Sequence, residues 1–250
     1  MKISGSRILI TGGGAGIGRF LAERLVADSA EVCVLERNTV RCAELIETSG
    51  GQIKALVCDV SDPVVVASTL QVIFDSGFEP DILINNAGII HSEPLVNMLS
   101  RNERIHSPES WRRVISADLD SVFYVTSHVV DRMLTKRSKG VVISISSISA
   151  NGNPGQSAYS AAKAGVNALT RTWAKELGGM GLRFAAIAPG FIDTPSTRAA
   201  LSETTIAKLK QQIPLRRLGD LESIYLATCH IIENDYLTGT VLEIDGGLVI

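Results

Sequence analysis

The sequence predicts an α/β fold: a doubly wound parallel sheet with helices on both faces. Three observations predict it. Short apolar runs of strand length recur at 7–10, 31–35, 55–58, 81–84, 141–145, 183–188 and 240–244. Stretches of helical period lie between most of them, so strand and helix alternate along the chain. Most of the runs are apolar throughout rather than alternating, as expected of strands buried on both faces. With 250 residues, 45% of them hydrophobic and 20% charged, the chain can bury a sizeable core and is not disordered. No linker, repeat or low-complexity tract divides it, so residues 1–250 are expected to form one domain.

Composition excludes several functions. The net charge of −2 leaves no basic excess for a dedicated nucleic-acid binder. No apolar run approaches the roughly 18 residues of a membrane span, and Met1-Lys2 leads into a strand without a signal-peptide core. Cys33, Cys42, Cys58 and Cys229 have neither metal-ligand spacing nor a C-x-x-C pair. Cys33 and Cys58 fall in strand-like runs and read as buried thiols. No metal and a cytoplasmic location are the expectation.

The first strand, Arg7-Ile8-Leu9-Ile10, enters Thr11-Gly12-Gly13-Gly14-Ala15-Gly16-Ile17-Gly18, and an amphipathic helix follows with Phe20, Leu21, Leu25 and Val26 at helical spacing. A glycine-rich turn between strand and helix lets backbone N–H groups approach a pyrophosphate at the helix N-terminus. The spacing of Gly12, Gly16 and Gly18 is G-x3-G-x-G. The second strand, 31–35, is followed by Glu36-Arg37-Asn38. An acidic residue there can accept hydrogen bonds from an adenosine ribose and repel a 2′-phosphate, which favours NAD(H). Arg37 could instead pair with that phosphate, so NADP(H) stays open.

Residues 39–50 read as helix. The strand 55–58 ends in Asp59-Val60, where the Asp can meet an adenine or cap the turn into a helix over 63–76. The strand 81–84 closes in Asn85-Asn86-Ala87-Gly88, small enough for close approach of a flat cofactor. Residues 89–110 are undecided: Leu95, Met98 and Leu99 have helical spacing, and His91 and His106 read as stray histidines of a solvated connection or as part of a substrate entrance or subunit contact. Ser107 caps a long helix, with Pro108 in its first turn, running to Arg132, Lys136, Arg137 and Lys139 before Gly140. Those cations suit a helix C-terminus; docking of an acidic carrier protein is the other reading.

After the strand 141–145 comes Ser146, and then a helix over 157–177 bearing Tyr159 and Lys163. Positions i and i+4 share a helix face. A free Tyr has a pKa of about 10, and a cation beside it favours the phenolate, giving a proton donor or acceptor usable near neutral pH. Ser146 at the strand's carboxyl end can hold a substrate oxygen in the same pocket. The strand 183–188 leads to Pro189-Gly190-Phe191-Ile192-Asp193-Thr194; residues 195–213 read as a lid, 220–232 as a helix and 240–244 as the last strand.

These signatures resemble, in order and over nearly the whole length, the short-chain dehydrogenase/reductase family, whose fold is of Rossmann type. The resemblance rests on Thr11 to Gly18, Asp59-Val60, Asn85 to Gly88, Ser146 with Tyr159-x3-Lys163, and Pro189-Gly190 with Thr194. Gly152-Asn-Pro-Gly-Gln156 and the stretch from Leu237-Thr-Gly239 to Asp245-Gly-Gly247 look most like 3-oxoacyl-carrier-protein reductases. The resemblance implies hydride transfer between a nicotinamide cofactor and a secondary alcohol or ketone. Tyr159 would be the acid/base, Lys163 would lower its pKa and hold the nicotinamide ribose, and Ser146 would hold the substrate oxygen. Gly12, Gly14, Ala15, Gly16, Ile17 and Gly18 would cradle the phosphates; Glu36 and Arg37 would face the ribose; Asp59 and Val60 the adenine; Asn86, Ala87 and Gly88 the adenosine side; Pro189, Gly190, Ile192 and Thr194 the nicotinamide. It also implies a homotetramer, packed through the 107–139 and 157–177 helices.

Two departures stand out. The family's usual Asn, which supports a water chain to the catalytic Lys, aligns with Asp118, a carboxylate expected to tune Lys163. The 91–106 connection is longer than usual, on the substrate side. Two alternatives remain: an NADPH-dependent 3-oxoacyl thioester reductase, and a non-catalytic dinucleotide-binding protein.

Overall fold

Seven parallel strands form one sheet in the order β3-β2-β1-β4-β5-β6-β7. They are β1 (Arg7–Thr11), β2 (Glu31–Glu36), β3 (Ile53–Val57), β4 (Ile82–Asn85), β5 (Gly140–Ile145), β6 (Leu182–Pro189) and β7 (Thr240–Ile244). This computed structural model describes every residue except Arg101 and Glu103, and leaves out the side chains of Ser196 and Ala200. Strand order reverses between β1 and β4, which pair at Leu9 with Leu83. In such sheets the crevice outside the carboxyl ends at that reversal is where ligands bind.

The helices are α1 (Gly16–Ala27), α2 (Thr39–Thr48), α3 (Pro63–Asp75), α4 (Pro108–Ile115), α5 (Ser121–Thr135), α6 (Ser157–Leu177), α7 (Pro195–Ala200), α8 (Glu203–Gln212) and α9 (Leu221–Glu233). Strand side chains alternate between faces, so two cores form. Ile8 and Ile10 pack with Leu21 and Leu25 of α1 and Ile231 of α9. Leu9 packs on the other face with Leu70 of α3, Val129 of α5 and Phe184 of β6. The lid region folds as α7 and α8, with Ile206 and Ile213 packed on Ile148 and Leu218. Cys33 and Cys58 are buried as expected, and so is Cys42. No helix among the described residues is long and apolar enough to cross a membrane.

Arg183 joins β6 to α9. Its guanidinium donates to the carbonyls of Ile231 at 2.7 Å, Ile232 at 2.9 Å, and Asn234 and Leu237 at 3.1 Å. Those of Ile231 and Ile232 are carbonyls that a helix end leaves without intrahelical partners, and those of Asn234 and Leu237 belong to the cap and the loop after it.

The undecided stretch 89–110 is a connection: Leu95, Met98 and Leu99 mark no helix. That stretch folds back on itself through an antiparallel bridge, Val96 to Ile105, and Leu99, 96% exposed, has its N–H bonded to Asn97 Oδ1 at 3.1 Å. A short helix gains most of its stability by burying an apolar stripe, and Leu95, Met98 and Leu99 are all exposed. One expectation is corrected: the helix after Ser107 is not continuous to Lys139. Between α4 and α5 lies one π-helical turn, Ser116–Asp120, and α5 stops at Thr135, before Arg137 at φ +52°. The basic cluster is anchored rather than only dipolar: Arg132 grips Glu79 at 2.7 and 2.5 Å, and Lys136 Nζ lies 3.1 Å from the same carboxylate.

Candidate active site

Ser146 follows β5 directly, and Tyr159 and Lys163 lie one turn apart on α6. All three are buried, at 2%, 8% and 4% exposure. Lys163 Nζ donates to the Ile145 carbonyl at 3.0 Å and stands 5.6 Å from the centre of the Tyr159 ring. Ser146 Oγ donates to the Lys163 carbonyl at 3.3 Å, a long bond that a substrate oxygen could replace. Tyr159 packs with Ala158, Val114 of α4 and Ile89. An ammonium held beside a buried phenol is a proton-transfer arrangement, and the hydroxyl next to it is an oxygen-binding group.

Asp118 sits on the π-helical turn, fully buried. Its Oδ1 accepts the Ile89 N–H at 2.7 Å. Its Oδ2 lies 3.5 Å from Lys163 Nζ, an ion-pair distance without hydrogen-bond geometry. Burial raises its carboxyl above the ordinary value, and Lys163 and the Ile89 N–H draw it partly back.

The glycine-rich turn fits a dinucleotide. The N-cap of α1, Ala15, makes no side-chain cap, and the first turn carries no acid, so this helix start suits an anion. A Cβ on Gly16, at φ +55°, would meet nothing within 4 Å, so that side of the turn is open. On the other side, a Cβ on Gly18 would come within 2.4 Å of the Gly12 carbonyl and of Asn86 Nδ2. Asn86 Nδ2 donates to the Thr11 and Gly12 carbonyls at 3.0 and 2.9 Å, fastening the turn to the end of β4. Ala87 and Gly88 continue that wall; a Cβ on Gly88 would stand 3.1 Å from Asp118 Oδ2.

A family model described as short chain dehydrogenase matches residues 6–205. This chain belongs to the short-chain dehydrogenase family. A 3-oxoacyl-[acyl-carrier-protein] reductase of Thermotoga maritima is 36% identical over the full length of both chains. The enzyme of that name from Salmonella typhimurium is 34% identical, with 99% of each chain covered. A crystal structure assigned as a gluconate dehydrogenase of Agrobacterium tumefaciens superposes with a TM-score of 0.89 at 26% identity, over 98% of this chain and 96% of that one. As a member of this family the chain is a nicotinamide-dependent oxidoreductase that interconverts a ketone and an alcohol on a small molecule.

The short-chain dehydrogenase site places the other expected residues unevenly. Pro189 ends β6, and a Cβ on Gly190 would strike Asp245 Cα at 2.8 Å. Ile192 is buried, and Thr194 Oγ1 caps α7 by accepting the Thr197 N–H at 3.1 Å. Asp59 is engaged as a turn cap: it accepts from Ser61 N–H at 3.0 Å and Ser61 Oγ at 2.6 Å. These bonds, with Arg37 nearby, hold its carboxyl below the ordinary range despite some burial. Val60 beside it is buried. Glu36 is buried and braces the turn itself, accepting the Gly14 N–H on Oε2 and the Asn38 N–H on Oε1, both at 3.0 Å.

Two features escaped the sequence reading. Arg41 approaches the turn so closely that a Cβ on Gly14 would lie 2.8 Å from its Cβ; its place one helical turn after the Asn38 cap was the available signal. The histidines are not stray: His106 is buried and, with His91, surrounds Glu93.

Proposed function

We propose that Tyr159 is the acid/base of this oxidoreductase, with Ser146 and Lys163 as its partners. The observation that carries the reading is their joint burial at the carboxyl end of β5. A bound nicotinamide cofactor supplies or takes the hydride. In the reductive direction Tyr159 Oη gives a proton to the substrate oxygen while Ser146 Oγ donates a hydrogen bond to it. Lys163 is held beside the phenol by the Ile145 carbonyl. In the oxidative direction Tyr159 takes the alcohol proton. Asp118 acts through Lys163, as a positioning and tuning carboxyl. The chain is read as one domain over 1–250, working in the cytoplasm as a homotetramer; Phe123, half exposed on α5, suits such packing.

NAD(H) is the favoured cofactor. A carboxylate has about four lone-pair sites, so Glu36 can hold the turn and still accept from a ribose diol, and its charge opposes a 2′-phosphate. The second reading, NADP(H) with a 3-oxoacyl thioester, is supported by Arg37 and Arg41 and by the names of the reductase relatives.

Titration of tryptophan fluorescence with NADH and NADPH in parallel, followed by turnover assays with Tyr159→Phe, tests both readings. NADH binding at least tenfold tighter, about 1.4 kcal/mol, supports Glu36 as the selector, and tighter NADPH binding overturns it. A Tyr159→Phe variant that turns over like an active wild type overturns the acid/base assignment; NADH binding without turnover of any alcohol or ketone, in wild type and Tyr159→Phe alike, favours a non-catalytic dinucleotide-binding protein.

A further inference from the structure

Asp118 holds the root of the connection between β4 and α4 at Ile89, and Glu93 holds its middle. The Glu93 backbone N–H donates to the Gly155 carbonyl at 2.7 Å, and residue 93 bridges Gln156 in parallel fashion. Its side chain turns the other way. Oε1 accepts the Ser107 N–H at 2.5 Å, and Oε2 meets His91 Nε2 at 2.9 Å. His106 Nδ1 lies 4.0 Å from Oε2 and 3.0 Å from the Ser107 carbonyl. The His106 ring is wedged edge-on between His91 and Trp111, with centroids 6.2 Å away in each case. The His91 bond first, and then the Ser107 N–H, pull the Glu93 carboxyl down to about 2, so the charge is present across the working range.

Both ends of this tie lead to Tyr159. Gly155 and Gln156 run straight into α6, and the Gln156 carbonyl accepts the Ser160 N–H at 2.8 Å. The Gln156 side chain is itself fixed: Oε1 accepts from Ser149 Oγ and Asn153 Nδ2 at 3.0 Å, and Nε2 donates to Ser92 Oγ at 3.2 Å. At the other end, Ser107 caps α4 through the Ser110 N–H at 3.2 Å, and Val114 of α4 packs against Ala158 and Tyr159.

We propose that Glu93 is a positioning residue for Tyr159, clamping the 152–156 loop that enters α6 to the start of α4 that walls the ring. It touches no reacting atom. Its work is to keep two segments, otherwise joined near Tyr159 mainly by side-chain packing, at one spacing. That it positions a catalytic group rests on the acid/base reading of Tyr159; that it clamps the two segments does not.

The test is amide hydrogen exchange by mass spectrometry on the full-length protein, comparing Glu93→Ala and Glu93→Gln with the wild type. Gln keeps an acceptor for the Ser107 N–H and a hydrogen-bonding group for His91. Expected is exchange roughly tenfold faster across 152–163 in Glu93→Ala, with β1 and β2 unchanged, and a return to within about twofold of wild type in Glu93→Gln. Unchanged exchange in Glu93→Ala, equally raised exchange in β1 and β2, or a Gln variant as loose as Ala overturns the clamp. Turnover of ethyl acetoacetate with the better-bound reduced cofactor then reads the catalytic consequence. A kcat reduced roughly tenfold in Glu93→Ala, with NADH affinity kept, is expected. If exchange rises but kcat does not fall while Tyr159→Phe is inactive, the clamp stands and its positioning role is overturned. If Tyr159→Phe is active, the acid/base reading fails on its own.

Discussion

The glycine-rich turn and the connection after β4 border the same crevice and are built in opposite ways. In the turn, backbone packs on backbone: a Cβ on Gly12 would come within 2.7 Å of Ala87 Cα, and the polar ties run from Asn86 and Glu36 to main-chain atoms. In the connection, the side chains of Glu93, His91 and His106 join a few main-chain bonds in the fastening, while Leu95, Met98 and Leu99 lie open. The turn tolerates almost no added volume and has one shape. The connection depends on a few polar groups, so its position can change with one residue.

Tyr159, between the two regions, serves both. Tyr159→Phe is expected to lose roughly 10²–10⁴-fold in turnover with NADH affinity intact by fluorescence titration; a parallel loss of binding would place Tyr159 in the cofactor cradle rather than between the regions. In the turn, Gly18→Val is expected to weaken NADH binding roughly a hundredfold, about 2.7 kcal/mol, since its side chain meets Gly12 and Asn86. Unchanged affinity would show that the turn yields as readily as the connection.

Asp118 bonds Ile89 at the root of the connection, and its effect is smaller and depends on pH. Its folded carboxyl is raised above the ordinary 3.8. A group raised on folding contributes stability while protonated, below its unfolded value, and that contribution is lost as pH rises through the folded value. The urea midpoint of the wild type is therefore expected to fall relative to Asp118→Asn as pH is raised from below 3.8, and the pH–rate profiles should be displaced from each other. Parallel curves would remove Asp118 from the tuning of Lys163. At the tip of the connection, Leu99→Ser is expected to change unfolding stability by less than about 0.5 kcal/mol; a larger loss would reveal a partner for that face.

The same contrast explains what the sequence made readable. The turn was legible because its chemistry is a spacing of glycines after an apolar run, and local spacing survives in one dimension. Tyr159 and Lys163 were legible for the same reason, as neighbours on one helix turn. The sequence places Glu36 at the end of β2, but its bond to the Gly14 N–H leaves no local mark, because residues 14 and 36 meet only across the fold. Asp59 carried two readings, and the structure puts its side chain on Ser61. The π-helical turn at Ser116–Asp120 left no mark in Ser-Ala-Asp-Leu-Asp, a sequence that an ordinary helix also accepts. The connection was illegible because its order comes from contacts between residues 93, 107 and 155, far apart in sequence and unremarkable one by one.

Arg183 has a consequence for how the molecule comes apart. The last turn of a helix ordinarily frays alone, at little cost. Here the closing carbonyls of Ile231 and Ile232 meet a guanidinium rooted in β6, an interior strand, so the turn can melt only if that cation gives up those two acceptors or β6 moves too. Helix end and strand should therefore open as one cooperative unit. The slow-exchanging amides of α9 are expected to reach its final residues, and Arg183→Met to shorten that protected stretch from its far end inward.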